Sequence, residues 1–451
     1  MREIERAAIA ALMAREVERF AAERPKSRAL SERAKAHLLA GTPLTWMREW
    51  QSPFTVFAER ALGATVVDVD GHEYADFCLG DTGAMFGHSP APFVELVTRT
   101  AGQGITTMLP TEDSVWLGAE LAQRFGLPVW SLALTATDAN RFACRFAREL
   151  TGRPKILVFD GCYHGTLGET LVDLNGNGMI RRPASIGVVE DPETTTRVVD
   201  FNDLEQLDRA LAAGDVACVL AEPALTNCGM VLPDPGFHDG LRGTTRRHGT
   251  LLIIDETHTL SSGPAGYTGA SGLEPDMLTL GKPIAGGIPA AVYGFTAELA
   301  ERIDRRFEEL GDFSTGVGGT LSANALSVRA MRVMFEQVIT EQGYEHMFAM
   351  AVRLEEGIDG AIARHDLPWH VTRMGARVEY GINPTPWKNA KQVRAGCDPE
   401  LERLLHLYCL NRGVLVTPFH NMMLTSPATT EAQVDRHSEA FESAVAELAA
   451  G

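Results

Sequence analysis

The sequence predicts an α/β protein organised on a largely parallel sheet, and three observations predict it. From about residue 110 to 300, short apolar runs alternate with stretches of helical period. The runs VWSLAL, KILVF, ACVLA, TLLIID and AAVYGF are mostly continuous rather than alternating, the pattern of strands covered by helices on both faces. Four of them end in polar residues, where open α/β sheets place their ligands: Thr135-Ala136-Thr137, the segment Asp160–Gly165, Glu222, and Asp255-Glu256.

At 451 residues the chain exceeds one ordinary domain, so a large and a smaller domain are expected. The N-terminal helical segment 1–55 and the C-terminal 331–451 are assigned to the smaller domain, and 56–330 to the larger. In MREIERAAIAALMAREVERF, Glu and Arg interrupt the apolar positions, so the start reads as an amphipathic helix rather than a signal peptide. Helical period continues to near Gly41. Between about 54 and 79, β-rich runs flank Asp70-Gly71, a hairpin signal. The segment TATDANRFACRFARELTG puts Phe142, Ala143, Phe146, Ala147 and Leu150 on one helical face, with Arg141, Arg145 and Arg148 turned away. That sets Thr135–Asp138 at a helix N-terminus. Beyond about 330, long amphipathic patterns, a strand pair and the helix TEAQVDRHSEAFESAVAELAA complete the smaller unit.

A formal net charge of −18 argues against nucleic acid or an anionic membrane as partner, and no stretch is apolar and long enough to span a bilayer. The seven cysteines form no CxxC pair and suit reduced thiols in a cytoplasmic protein. Cys162 and His164 flank Tyr163, and His258 follows Asp255-Glu256, but no second ligand pair stands at a recognisable spacing, so no metal is expected. A G-x-G-x-x-G straight after a strand, which a dinucleotide-binding dehydrogenase needs, is also missing.

Lys282 is the one charge inside the apolar, glycine-rich run LTLGKPIAGGIPAAVYG. Alone it suits a snorkelling side chain, as Thr135–Asp138 suits an ordinary N-cap and Asp255 an ordinary strand end. The conjunction says more. A helix N-terminus with two hydroxyls, an aromatic (Tyr163) after the next strand, an acid (Asp255) after a third and then a lysine form one chemical set, a site for pyridoxal 5′-phosphate (PLP). Its aldehyde needs an amine for a Schiff base, its pyridine nitrogen a carboxylate, its ring a stacking partner and its phosphate helix-terminal amides.

The segments KILVFDGCYHG, VLAEPALTNCGM, LLIIDETHT, LTLGKPIAGGIP and GGTLSANALS resemble, in order and spacing, the signatures of class III aminotransferases, from about Phe57 to the C-terminus. Within that family the look is of the branch containing glutamate-1-semialdehyde aminomutase and β-amino-acid transaminases. The resemblance implies PLP fold type I, with a mostly parallel seven-stranded sheet between helices in the large domain and a smaller α+β domain built from both termini. It further implies that Lys282 is the Schiff-base lysine and the base that moves the substrate proton, and that Asp255 pairs with the pyridinium. Tyr163 would stack on the ring, Glu222 and Asn227 would lie near its phenolic oxygen, and Thr135, Ala136 and Thr137 would bind phosphate. Thr320 would reach the phosphate of a neighbouring subunit, making a homodimer with shared sites. His164 has either a supporting or a purely structural role.

The departures concern the substrate. The phosphate cup, usually Ser-Gly-Thr-Glu-Ala, reads Thr135-Ala136-Thr137-Asp138-Ala139 here. Trp46 stands where the aminomutase has a carboxylate-binding arginine, with Arg48 two residues on, and Asn421 where it has a glutamate. The arginine of β-amino-acid transaminases near Phe419 is missing. Arg377 remains as a candidate for a substrate carboxylate or a surface strand residue, and Asp81 for a substrate cation or a turn cap. Aromatic and Met-rich stretches suggest an apolar pocket. The sequence therefore favours an aminotransferase moving an amino group from an amine or amino acid, including a β-amino acid, to a keto acid such as pyruvate. An aminomutase, or a racemase or epimerase of the same fold, is the alternative.

Overall fold

A computed structural model describes residues 4–176, 178–183, 185–189, 191–311, 313 and 315–450. The chain divides into two compact units, one of Ala91–Glu341 with Trp387–Arg394, the other of Met1–Pro90, Gln342–Pro386 and Ala395–Gly451.

The first unit carries a seven-stranded sheet of β1 (Val129–Ala133), β2 (Lys155–Phe159), β3 (Thr196–Val199), β4 (Val216–Ala221), β5 (Leu251–Asp255), β6 (Met277–Leu280) and β7 (Ala291–Phe295). Their order is β1-β7-β6-β5-β4-β2-β3. Strand β5 pairs in parallel with β4 and β6, and β2 with β3 and β4; only β7 is reversed, antiparallel to β6 and β1. Every residue of β4, β6 and β7 is buried, which is why the runs read as continuous. This is the expected α/β architecture. Strands β3 and β6 hold four residues each, too few to announce themselves as runs.

In the other unit, the N-terminal helical period resolves into two helices, Arg6–Glu23 and Pro25–Ala34. Arg24 between them leaves helical geometry (φ −126°, ψ 57°), and Pro25 opens the second helix. The break buries the Arg24 guanidinium, which donates to the Tyr74 hydroxyl (3.0 Å), Asn411 Oδ1 (3.1 Å) and the Leu410 carbonyl (3.3 Å). The hairpin at Asp70-Gly71 joins strands Thr65–Asp68 and Glu73–Asp76, and the latter pairs in parallel with Val414–Leu415. That pairing groups residues 56–90, which the sequence assigned to the larger domain, with this unit. A second sheet joins His370–Met374, Arg377–Gly381 and Met422–Leu424. Among the described residues, no helix is long and apolar enough to cross a membrane.

Two buried histidines of this unit make its stability sensitive to acid. His437 lies between Phe77 and Phe441, its Nδ1 without a partner among the described residues, and burial pushes its pKa down to about 4. His406 is likewise lowered to about 4, chiefly by burial, although its bond to Asn421 works the other way. In the unfolded chain both take up protons near pH ~6.5. The unfolded state therefore binds more protons across this interval, so stability present above ~6.5 is lost as pH falls toward the folded value. His437→Phe is expected to reduce the pH slope of unfolding free energy by up to one proton's worth, about 1.4 kcal/mol per pH unit. Denaturant melts of both proteins at several pH values between neutral and acidic check this; parallel slopes contradict it.

Candidate active site

Five strands of the seven-stranded sheet, β1, β2, β4, β5 and β6, deliver the candidate residues at their carboxyl ends. After β1, the helix Ala136–Thr151 begins with Thr135 as N-cap, whose hydroxyl accepts from the Asp138 amide. Thr135 thus serves as an ordinary N-cap. The amides of Ala136 and Thr137, in the first turn, have no intrahelical acceptor and point with the positive end of the helix dipole. Two glycines frame this cup. A Cβ on Gly165 would stand 1.9 Å from Thr137 Oγ1, and one on Gly281 would stand 2.9 Å from the Ala136 Cβ. The backbone before Lys282 and the loop after Tyr163 thus close directly on the helix start, and Thr137 also accepts from the Thr166 amide.

Asp255 ends β5 in a buried position. Its Oδ2 accepts from Asn140 Nδ2 (2.7 Å) and lies 3.0 Å from His164 Nδ1, and its Oδ1 accepts from the Thr257 amide (3.1 Å). Burial alone would raise its pKa, but the bonds from His164, Thr257 and Asn140 outweigh it and hold the carboxyl below its ordinary value. Burial likewise opposes charge on His164, yet the neighbouring Cys162 and Asp255 raise its pKa well above the usual imidazole range. Thr279 on β6 donates to Asn140 Oδ1 at 2.6 Å, which fixes the amide that serves Asp255. The result is an ionised carboxylate at a strand end with three donors in place and lone-pair capacity for one more.

Lys282 follows β6 and is half-buried, with φ at +46°, a left-handed conformation that non-glycine residues rarely hold. Its Nζ bonds His258 Nε2. On its far side His258 Nδ1 meets Thr226 Oγ1 (2.9 Å) and the Asn227 amide (3.2 Å), and Thr226 donates to Glu222 Oε2 (2.7 Å). Glu222, buried after β4, also accepts from the Tyr163 amide at 2.9 Å; burial raises its pKa. The Tyr163 ring is exposed by 41 %.

The residues fit the cofactor the sequence called for. A helix-end amide cup that glycines leave open, a buried ionised carboxylate and a half-buried amine are what a phosphate, a pyridinium and an aldehyde require. Of the predicted cofactor residues, Thr135, Ala136, Thr137, Tyr163, Glu222, Asn227, Asp255 and Lys282 come together in this unit. Thr320 stands apart, exposed in a turn. Asn140, Thr226 and His258 were not predicted as members of the site, and they link its parts.

A model of the class III aminotransferases matches residues 46–445. The chain belongs to that family. It is 35 % identical over 390 residues to glutamate-1-semialdehyde 2,1-aminomutase 2 of Halalkalibacterium halodurans, covering 84 % of this chain and 88 % of that one. Among solved structures it is similar to a glutamate-1-semialdehyde aminomutase of Pseudomonas aeruginosa, at 48 % identity, TM-score 0.96 and 99 % of both chains. A lysine-to-alanine variant of that protein was solved in complex with PMP, at TM-score 0.95. An omega-transaminase of Sphaerobacter thermophilus matches at 26 % identity and TM-score 0.84, over 94 % of this chain and 98 % of that one. As a class III family member this chain is a PLP-dependent enzyme.

The four substrate candidates all fall in the other unit. Trp46 is exposed by 45 % and meets the exposed Phe419 edge-on at 5.7 Å. Asp81 sits in a left-handed run, Leu79 to Thr82, with φ of 46°, 60°, 47° and 82°. Arg377 is wholly buried; its guanidinium donates to the Thr82 hydroxyl and lies 3.3 Å from the Met422 sulfur. It is an interior strand residue, not a surface one. Asn421 is buried too, accepting from His406 (3.2 Å) and donating to the Tyr380 carbonyl (3.3 Å).

Proposed function

We propose that this class III enzyme is an aminomutase of the glutamate-1-semialdehyde type, exchanging an amino and an oxo group between adjacent carbons of one small substrate. The likeness to the Pseudomonas aeruginosa aminomutase along 99 % of both chains carries the reading. It displaces the aminotransferase reading favoured by the sequence. Intermolecular transamination stays as the second reading because neither Arg377 nor Asn421 presents an open charge, while Trp46 and Phe419 form an exposed apolar pair.

Bound PLP supplies an electrophilic carbon for the amine and an electron sink for the bond that breaks. Thr135, Ala136 and Thr137 would hold its phosphate through amides and hydroxyls. Asp255 would keep a proton on the pyridine nitrogen, with Asn140 and His164 aiming the carboxylate. Tyr163 would cover one ring face. Lys282 would carry the group covalently, be displaced by the substrate amine and then move a proton between the substrate carbon and the cofactor carbon beside it. Glu222 and Asn227 act on this reading through Thr226 and His258. Thr320 and the exposed apolar residues Ile105, Met108, Leu109, Val115 and Leu321 suit a homodimer interface. The free cysteines suit a cytoplasmic setting.

The two readings part on stoichiometry. An aminomutase turns over glutamate 1-semialdehyde into its isomer, with the amine moved to the terminal carbon, catalytically and with no second substrate. A transaminase stops after one equivalent unless a keto acid or amine is added. Product analysis without co-substrate is expected to show many turnovers; arrest at one equivalent would favour transamination.

A further inference from the structure

Asp160, the first residue after β2, is a wholly buried carboxylate that the cofactor chemistry leaves unused. A buried carboxylate is costly unless charge and hydrogen bonds compensate it. Arg394 supplies the charge here. Its guanidinium bonds both carboxylate oxygens and the Leu174 carbonyl (3.3 Å), and Asp160 Oδ1 also accepts from the Leu174 amide (2.8 Å). Arg394 ends the strap Trp387–Arg394, which belongs to the first unit although the chain on either side of it belongs to the other. The strap is held near its opposite end by Asn202, whose Nδ2 donates to the carbonyls of Lys388 and Leu232 (3.0 Å each). Between these anchors it rests on two glycines. A Cβ on Gly161 would stand 2.5 Å from Ala390 Cβ, and one on Gly229 would stand 2.9 Å from the Trp387 ring and 3.1 Å from Val393 Cγ1. Both glycines are left-handed, at φ +81° and +104°, so neither the space nor the backbone admits a side chain.

Each glycine lies two residues from a group assigned to the cofactor ring: Gly161 from Tyr163, and Gly229 from Asn227. We propose that Arg394 is a positioning residue, which through Asp160 seats the strap on these glycines and so sets where Tyr163 and Asn227 meet the ring. This rests on the PLP reading of the site. With 41 % of Tyr163 exposed, its place follows from its backbone more than from enclosure. That backbone is fastened step by step. The Cys162 amide donates to the Phe159 carbonyl (3.1 Å), the Cys162 carbonyl accepts from Arg182 (2.9 Å), and the Tyr163 amide donates to Glu222 (2.9 Å). Asp160 and Gly161 are the first links of this run, and they are the ones the strap holds. A binding side chain must sit within about 0.5 Å of its productive place, so loosening the first links is felt at the last. One strap thereby sets together the partner of the ring's face and the partner of its phenolic oxygen.

The full-length chain, dialysed free of PLP, is followed by hydrogen exchange and mass spectrometry, which needs neither cofactor nor turnover. Arg394→Met keeps the length of the side chain and removes its charge. Exchange in peptides covering 160–163 and 227–229 is expected to quicken about 10-fold, with the peptides of β5 and β6 as in the wild type. On reloading, PLP is expected to dissociate about 10-fold faster, the size typical of partners that orient a site's direct contacts, and the circular dichroism of the bound cofactor to change. Arg394→Lys returns the charge and is expected to bring both readouts back toward the wild type. Ala390→Gly, which removes the methyl resting on Gly161 and spares the ion pair, is expected to move them the same way by less. It takes the place of Arg394→Met if that variant does not fold. A merely structural role would lower the urea midpoint and leave PLP dissociation and dichroism as in the wild type. That result, or wild-type exchange at 160–163 in the folded variant, overturns the proposal. Failure of the PLP reading shows separately, as wild-type chain whose cofactor is trapped by reduction on a residue other than Lys282.

Discussion

Lys282→Ala is expected to lower turnover by at least about 10⁴-fold and to leave any bound PLP non-covalent, with the fold intact. The size of the loss follows from the number of jobs the amine would hold. It would carry the cofactor, exchange it for the substrate and move the proton that decides the product, and among the described residues and bonds no other lysine joins this cluster. Stability should change little. Lys282 already occupies a left-handed backbone position, and alanine there meets the same steric cost of about 1 kcal/mol. Its bond to the His258 ring is lost, but that buried ring keeps its contacts with Thr226 and Asn227. The measurement is steady-state turnover beside a thermal melt. A variant that retains activity within tenfold would show that Lys282 is not the cofactor-bearing amine.

Asp255→Asn is expected to cost about 10³-fold in turnover, and unlike Lys282→Ala it should also destabilise the unit by about 3 kcal/mol. Asparagine preserves size, so the effect isolates charge and hydrogen-bond polarity. The carboxylate receives Asn140, His164 and the Thr257 amide. An amide can present only one oxygen to these donors and would turn an N–H₂ toward at least one of them. His164, held charged by its surroundings, would lose its counter-charge and its pKa would fall. Cofactor affinity, turnover and a urea melt of the variant check the three consequences together. Wild-type melting with reduced turnover would mean the pairing with His164 matters less than the geometry implies.

Much of the candidate site was legible because most of its members announce themselves locally. A buried parallel strand is a run of apolar residues, and the first polar residue beyond it stands at the ligand end, which singles out Thr135, Glu222 and Asp255. Lys282 is conspicuous as the one charge in a glycine-rich stretch. The residues that link the parts of the site had no such local signal. His258 gains meaning only when β5 and β6 lie side by side and bring it to a lysine 24 positions on. Asn140 reads as one polar residue on an apolar helix face until Asp255 is found beside it. Arg377 shows the reverse error. On a strand that includes Glu379 and follows a glycine turn it could be read as exposed, and nothing local reveals that Thr82 and Met422 enclose it. The break at Arg24 was within reach, since Pro25 is a helix-start residue, but the burial that makes the break useful depends on Tyr74 and Asn411, far along the chain.

Lys282 is expected to hold PLP in a site built by the carboxyl ends of β1, β2, β4, β5 and β6. Borohydride reduction of the PLP-loaded chain, followed by proteolysis and mass spectrometry, tests it most directly. A phosphopyridoxyl group is expected on the peptide containing Lys282, at close to one per chain. A reduced adduct spread over surface lysines, or confined to a lysine outside this cluster, would contradict it.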